Sequence, residues 1–251
     1  MTGAVPILTY HSLDESGSVI SLSPAVFRRQ MAAFARRGFR IVPLGELLDA
    51  WSGKTALPAR PLVVTFDDAF RGVLEHAAPV LADLGARVTV FAVAGYVGRT
   101  NDWPTQPAGV PRLPLCSWAE LRELGQVAEI GAHGFDHRPL GEGLDSGALM
   151  REVHDSRRAL EDGLGAAVTS FAYPYGIHGP TAREAVRAHY RAACGVTLKK
   201  ASPGDDRHDL GRIDAYYLRP RAATLAFGTP MGELYLSVRA LGRSLRARAA
   251  S

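Results

Sequence analysis

Two acids side by side, Asp67-Asp68, follow the apolar run Leu62-Val-Val-Thr-Phe66. Two histidines four residues apart, His133 and His137, follow Glu129-Ile-Gly-Ala132. A Pro-Tyr-Gly turn, Pro174 to Gly176, closes the run Val168 to Tyr173, and His11 closes the run Val5 to Tyr10. One carboxylate and two imidazoles make a common site for a divalent metal, with positions left for water and substrate. Such an ion brings the pKa of water toward neutrality. A second carboxylate beside it can orient that water and take its proton, and a further imidazole can protonate a leaving amine. These parts suffice to hydrolyse an amide or an ester. Taken singly, each has a structural reading: Asp-Asp as a helix cap, Pro-Tyr-Gly as a turn, His11 as a strand-end histidine. Their shared position, directly after apolar runs, argues against that reading for the set.

For these side chains to meet, the runs before them must lie side by side. Val5–Tyr10, Phe39–Val42, Leu62–Phe66, Val88–Val93, Glu129–Ala132, Val168–Tyr173 and Arg191–Val196 read as buried strands. Amphipathic stretches separate them. Ser23-Pro24 supplies an N-cap and a first-turn proline for a helix that stops at Gly38. Leu44–Trp51 reads as a short helix, another runs to about Gly85, and Ser117 caps one ending at Gly125. Ser146–Asp162, Thr181–His189 and Met231–Ala249 complete the helices. Continuous apolar strands alternating with helices predict an α/β fold with a parallel sheet covered on both faces. Seven or so such units in one domain, spanning residues 1–251, predict a barrel. In that architecture the active groups gather at the carboxyl ends of the strands.

Composition narrows the class. The 251 residues are 47% hydrophobic and 22% charged, a globular balance that supports a full core without disulfides. No run approaches the ~18 apolar residues of a membrane-spanning helix. The formal charge of +4 resides at the end of the chain, where Arg239, Arg243, Arg246 and Arg248 follow the last acid, Glu233. Residues 1–236 balance, with 25 basic and 25 acidic side chains. No aromatic interleaving accompanies the basic residues, which argues against nucleic acid. The basic helix at about 231–249 carries Leu234, Val238, Leu241 and Leu245 on one face. These are expected to pack on the barrel with the arginines outward; contact with a membrane surface is the other use of such a helix. Cys116 and Cys194 have no metal or redox spacing, which fits a reducing compartment and leaves one bridge between them open. The start, Met-Thr-Gly-Ala-Val-Pro, lacks the regions of a secretory signal, so a cytoplasmic location is expected.

The string Thr65-Phe-Asp-Asp-Ala-Phe70 resembles the TFDDG motif of the polysaccharide deacetylases, the family-four carbohydrate esterases. His133-Gly-Phe-Asp-His137, with Arg138-Pro-Leu140 after it, resembles their H-S/T-x-x-H motif, and Phe171-Ala-Tyr-Pro-Tyr-Gly176 their R-x-P-Y motif. Ser117-Trp-Ala-Glu-Leu-Arg-Glu-Leu-Gly125 resembles the approach to the second motif. The resemblance runs from about residue 5 to 215. It implies a distorted (β/α)7 barrel and a metal-dependent carbohydrate N-deacetylase. By motif match, Asp67 is the catalytic base, and Asp68, His133 and His137 are the ligands of a divalent ion, zinc most often. The Tyr175 backbone N–H, next to Pro174, helps hold the tetrahedral oxyanion, where a donor aimed at developing charge contributes most. The family usually ends in an L-x-H motif whose histidine is the general acid. That motif is missing here, and Ile7-Leu-Thr-Tyr-His11 resembles it in a circularly permuted branch, the exopolysaccharide deacetylases. His11 is thus assigned as general acid, with His178 as runner-up.

The sequence departs from the family at four points. Ala69 stands for the glycine after Asp-Asp, which demands only an ordinary φ there. Gly134 stands for Ser or Thr and loses a hydrogen-bonding side chain. Ala172 stands where the family has the arginine that tethers the catalytic aspartate; Arg212 is the candidate replacement, a surface arginine the alternative. A D-x-x-x-W motif has no clear counterpart. The long segment Gly95–Leu115 has the length of a functional lid. Its Trp103 either stacks on a sugar or, the preferred reading, pins the loop to the barrel. Lys199–Asp209 reads as a mobile polar loop near the mouth. The expected function is removal of N-acetyl groups from a GlcNAc-type glycan or glycan-bearing intermediate. A deformylase or other amide hydrolase on a small-molecule or lipid-linked sugar is the second reading, and an inactive carbohydrate-binding barrel the third.

Overall fold

The computed structural model describes residues 3–249. The chain runs β1 (Ile7–Tyr10), β2 (Ser12–Leu13), β3 (Ser21–Leu22), α1 (Pro24–Arg36), β4 (Arg40–Val42), α2 (Leu44–Trp51) and β5 (Pro61–Phe66). A turn of π-helix, Val73–Ala77, leads into α3 (Ala78–Asp83), followed by β6 (Val88–Ala92), α4 (Trp118–Leu124) and β7 (Ala128–Ala132). The helix expected over 146–162 comes as α5 (Ser146–Met150), a π turn (Arg151–Asp155) and α6 (Ser156–Leu164). Next are β8 (Ser170–Ala172), α7 (Pro180–His189), β9 (Ala192–Cys194), β10 (Ile213–Asp214), α8 (Arg221–Ala226) and α9 (Pro230–Ala249).

Local chemistry sets several of these boundaries. Ser23 accepts the Val26 N–H and Pro24 opens α1. Ser117 and Glu120 form a reciprocal capping box on α4. The sheet is parallel, in the order β10-β1-β5-β6-β7-β8-β9. β4 shares one edge of β5 with β6: β4 pairs with Pro61–Val63 and β6 with Thr65–Phe66. The ring closes through one stretch of chain. Leu210 bridges Cys194 in β9, and three residues later Ile213 pairs with Leu8 in β1. The result is a distorted seven-membered barrel, as expected. The two-residue strand β10 that closes it carries no apolar run and is invisible to periodicity.

Two apolar clusters hold the barrel. A small inner one contains Ile7, Val63, Phe91 and Cys194, with Leu44 and Leu47 of α2 beneath them. The larger one lies between the outer sheet face and the helices. The interior leaves little room: a Cβ on Gly131 would lie 2.5 Å from the Phe91 ring. Partly buried Glu129 accepts the Gly45 N–H and so anchors the first turn of α2.

Two expectations are corrected. In α9, Leu236 packs inward, while Met231, Leu234, Val238, Leu241 and Leu245 are 56–73% exposed. The stripe thought to pack on the barrel therefore faces away from it, because Leu236 lies on the opposite side of the helix. The side chains of Arg246 and Arg248 fall outside the described residues. The Lys199–Asp209 segment is not confined to the mouth. Ala201 exchanges backbone hydrogen bonds with Val5 at the start of β1, and Tyr173 Oη donates to the His208 carbonyl. No helix among the described residues is long and apolar enough to cross a membrane.

Candidate active site

The carboxyl ends of β1, β5, β7 and β8 bring the predicted residues to one cavity of about 360 Å³. The backbone is passed from strand to strand: Asp67 N–H donates to the Tyr10 carbonyl and His133 N–H to the Ala92 carbonyl. Asp67, Asp68, His133 and His137 are all buried, and His11 is partly open at the rim.

Asp67 is held by Arg212. Two guanidinium nitrogens donate to its two carboxylate oxygens at 2.7 and 2.8 Å. Arg212 is itself 2% exposed, and its Nε donates to the Gly195 carbonyl. The arginine missing at Ala172 thus arrives from the segment that closes the barrel. Ala172 instead orients an imidazole, since its carbonyl oxygen lies 2.7 Å from His133 Nδ1. A proton on Nδ1 leaves Nε2 with its lone pair facing the cavity. Burial works against the charge on Asp67, but the Arg212 guanidinium, aided by His133, holds its carboxyl well below the ordinary range. Burial likewise lowers His133, to about 4, so the imidazole is neutral at pH 7. His11 Nε2 stands 3.8 Å from Asp67 Oδ2.

Asp68, His133 and His137 each offer one ligand atom, all within 4.8 Å of one another. Asp68 Oδ1 is buried and has no hydrogen-bond partner, while the two Nε2 atoms face it at 3.6 and 3.3 Å. An orphaned carboxylate oxygen beside two imidazole nitrogens fits a divalent cation. Backbone strain gathers at the same place. Among the described residues the non-glycine residues with positive φ are Asp68, Ala69, His137 and Tyr175. The ordinary φ expected at Ala69 is therefore wrong: its φ is 56°, in the left-handed region that a glycine adopts freely.

Trp103 is 3% exposed and stacks on His137 at 4.1 Å; its indole N–H donates to Tyr175 Oη. Tyr175 Oη donates in turn to the Thr105 carbonyl. The Gly95–Leu115 segment is thus pinned against a candidate ligand, and Pro174 sits buried beside Gly134, between the two histidines. His178 does not line the cavity; it faces Asp209 at 3.3 Å and packs at a tilt against the Tyr173 ring.

Sequence reasoning missed Glu152. It is fully buried on the π turn between α5 and α6, a distortion common at functional sites. Its carboxylate accepts the N–H groups of Phe135, Asp136 and Arg138, which span the loop between and just after the two histidines. Burial nonetheless raises its pKa, against the pull of those donors. One signal was available: Glu152 shares a helical face with Leu149, Val153, Ser156 and Leu160, where an acid is out of place.

The sequence profile of the polysaccharide deacetylases matches residues 54–193, more than half of the chain. The chain belongs to the polysaccharide deacetylase family. The matched span of this deacetylase holds Asp67, Asp68, His133, His137 and Tyr175, but not His11 or Arg212. The poly-beta-1,6-N-acetyl-D-glucosamine N-deacetylase of Staphylococcus aureus (strain MRSA252) is 24% identical over 203 residues, covering 77% of this chain and 67% of that protein. The structure of IcaB from Ammonifex degensii superposes with a TM-score of 0.74 at 27% identity, over 90% of this deacetylase and 97% of that chain. The Streptococcus pyogenes deacetylase PplD in complex with acetate shares the fold, with a TM-score of 0.71 at 22% identity, over 85% and 93%.

Proposed function

We propose that this deacetylase hydrolyses the N-acetyl groups of a poly-N-acetylglucosamine-type glycan. The observation that carries the reading is the placement of the Asp68, His133 and His137 ligand atoms beside the Arg212-bound carboxylate of Asp67. The likeness to the Staphylococcus aureus enzyme and to IcaB supports the substrate class. Asp68, His133 and His137 would hold a divalent ion, zinc by preference, which supplies Lewis acidity toward the amide carbonyl and acidifies the attacking water. Asp67, kept ionised by Arg212, takes the proton of that water. The Tyr175 N–H, at a backbone turn with φ 58°, donates to the oxyanion as it develops. His11, at the rim, delivers a proton to the departing amine. Arg212 fixes the orientation and charge of the base through its two bonds to Asp67.

The test is to measure bound metal and to follow acetate release from N-acetylglucosamine oligomers, with Asp67→Asn as control. Metal content near one ion per chain and acetate release abolished by Asp67→Asn are expected. Metal without acetate release from any oligomer would turn the reading toward another amide hydrolase. No metal after zinc is supplied would overturn it. Full activity in His11→Ala would remove His11 from its role.

A further inference from the structure

The catalytic cavity does not end at His11. Its rim residues Val19, Asp214 and Arg243 also line a second cavity of about 370 Å³, which continues past Tyr216, Tyr217 and Arg239. On the other side of the same two tyrosines lies a third, of about 530 Å³, bounded by Arg219 and Tyr235. A single track therefore leads from the metal-ligating residues along the turn after β10 to the flank of α9. Its chemistry is repetitive: tyrosine rings with guanidinium groups over them. The Arg219 guanidinium lies 3.4 Å from the Tyr216 ring centroid, and Arg239 lies 5.7 Å from that of Tyr217 and 5.3 Å from that of Tyr235.

A guanidinium laid over an aromatic ring keeps its planar set of N–H donors directed outward, which suits bidentate capture of carboxylate or phosphate. Among the described residues, Arg219, Arg239 and Arg243 form no ion pair with a carboxylate, whereas Arg71, Arg151, Arg157 and Arg191 elsewhere on the surface do. The acid within the track, Asp214, accepts the Tyr216 N–H and caps the turn that presents the tyrosines. Two of the four arginines behind the net charge thus stand at the substrate entrance, not on a featureless outer face.

We infer that the track is a binding site for carboxylate or phosphate substituents carried on the poly-N-acetylglucosamine-type chain, a short distance from the sugar being deacetylated. The inference rests on the deacetylase reading for its orientation, since the acetylated sugar must reach Asp67. The aromatic rings give sugar contact, and the arginines select for charge. A neutral polymer would use the rings alone.

Direct binding tests this without relying on turnover. The probes are a hyaluronan octasaccharide for the carboxylate, a phosphomannan fragment for the phosphate, and the N-acetylglucosamine hexamer as the neutral comparator. The wild-type protein is expected to bind one anionic probe about tenfold more tightly than the hexamer, with the advantage shrinking as salt rises. Which anionic probe wins identifies the group. Arg239→Gln with Arg243→Gln should bring the ratio close to one, and Arg239→Lys with Arg243→Lys should recover part of it. Because the readout is a ratio within one protein, general loss of fold does not imitate the result. Equal binding of all three probes by the wild-type protein overturns the inference, as does an anionic preference that the glutamine pair leaves intact. Acetate release from the hexamer with no anionic preference would sink the track and leave the deacetylase reading standing. Arginine-dependent anion binding with no acetate release from any glycan would do the reverse.

Discussion

Oε2 of Glu152 occupies the space in which a side chain at Gly134 would begin: a Cβ there would lie 2.4 Å from it. The glycine between the two histidines, a loss by comparison with the family motif, is what admits the carboxylate that holds their loop. Gly134 also has φ 80°, where glycine is at ease. Gly134→Ser is expected to lower stability by about 1–3 kcal/mol, read from urea unfolding. Glu152→Gln turns an amide donor toward three backbone N–H groups. Metal affinity, measured by competition with a chromogenic chelator, should fall about 10- to 100-fold. Unchanged affinity would show that the loop holds its shape without Glu152.

Arg212→Ala leaves Asp67 buried without its counter-charge, at an expected cost of about 3–5 kcal/mol. The sign of the pH dependence follows from the depressed pKa of Asp67. In the wild-type protein that stabilisation is complete above the unfolded carboxyl value and is lost as pH falls through the folded one. In the variant Asp67 takes a proton more readily. The stability gap between the two proteins should therefore narrow on acidification, which urea midpoints across a pH series would reveal. A gap that widened would contradict the assignment.

Trp103→Phe keeps a ring against His137 but removes the donor to Tyr175 Oη. A stability loss of about 1 kcal/mol is expected, with KM for N-acetylglucosamine oligomers within about twofold of wild type. Trp103→Ala removes the ring and should destabilise by about 3–5 kcal/mol. A large rise in KM for the phenylalanine variant, at unchanged stability, would instead make the indole a sugar contact.

Cys116 and Cys194 are free and buried, and burial pushes both thiols up to about 12. Ellman's reagent at pH 8 should find neither in the native protein and both after denaturation without reductant. No reactive thiol in the denatured sample would mean that the two cysteines are bridged.

The seven apolar strands and most helices were legible because each carries its own signal. Leu44–Trp51 matches its expected bounds, and the Ser117 and Ser23 caps lie where the side chains said. The motif residues were legible because apolar runs announce strand ends. What escaped notice depends on partners far away in sequence. Nothing near Ala172 says that its carbonyl will orient His133. The π turn at Glu152 needs one extra residue in a helical pattern whose phase barely changes. The outward stripe of α9 has the periodicity of a packed face, and periodicity alone does not say which face the rest of the protein takes.

The barrel is closed by one short stretch, Leu210 to Asp214, and that stretch carries Arg212. β1 thus meets its second neighbour, β10, only from the far end of the barrel's strand order in sequence. Without that stretch Asp67 has no guanidinium partner. Closure of the ring and placement of the Asp67 counter-charge therefore depend on the same few residues.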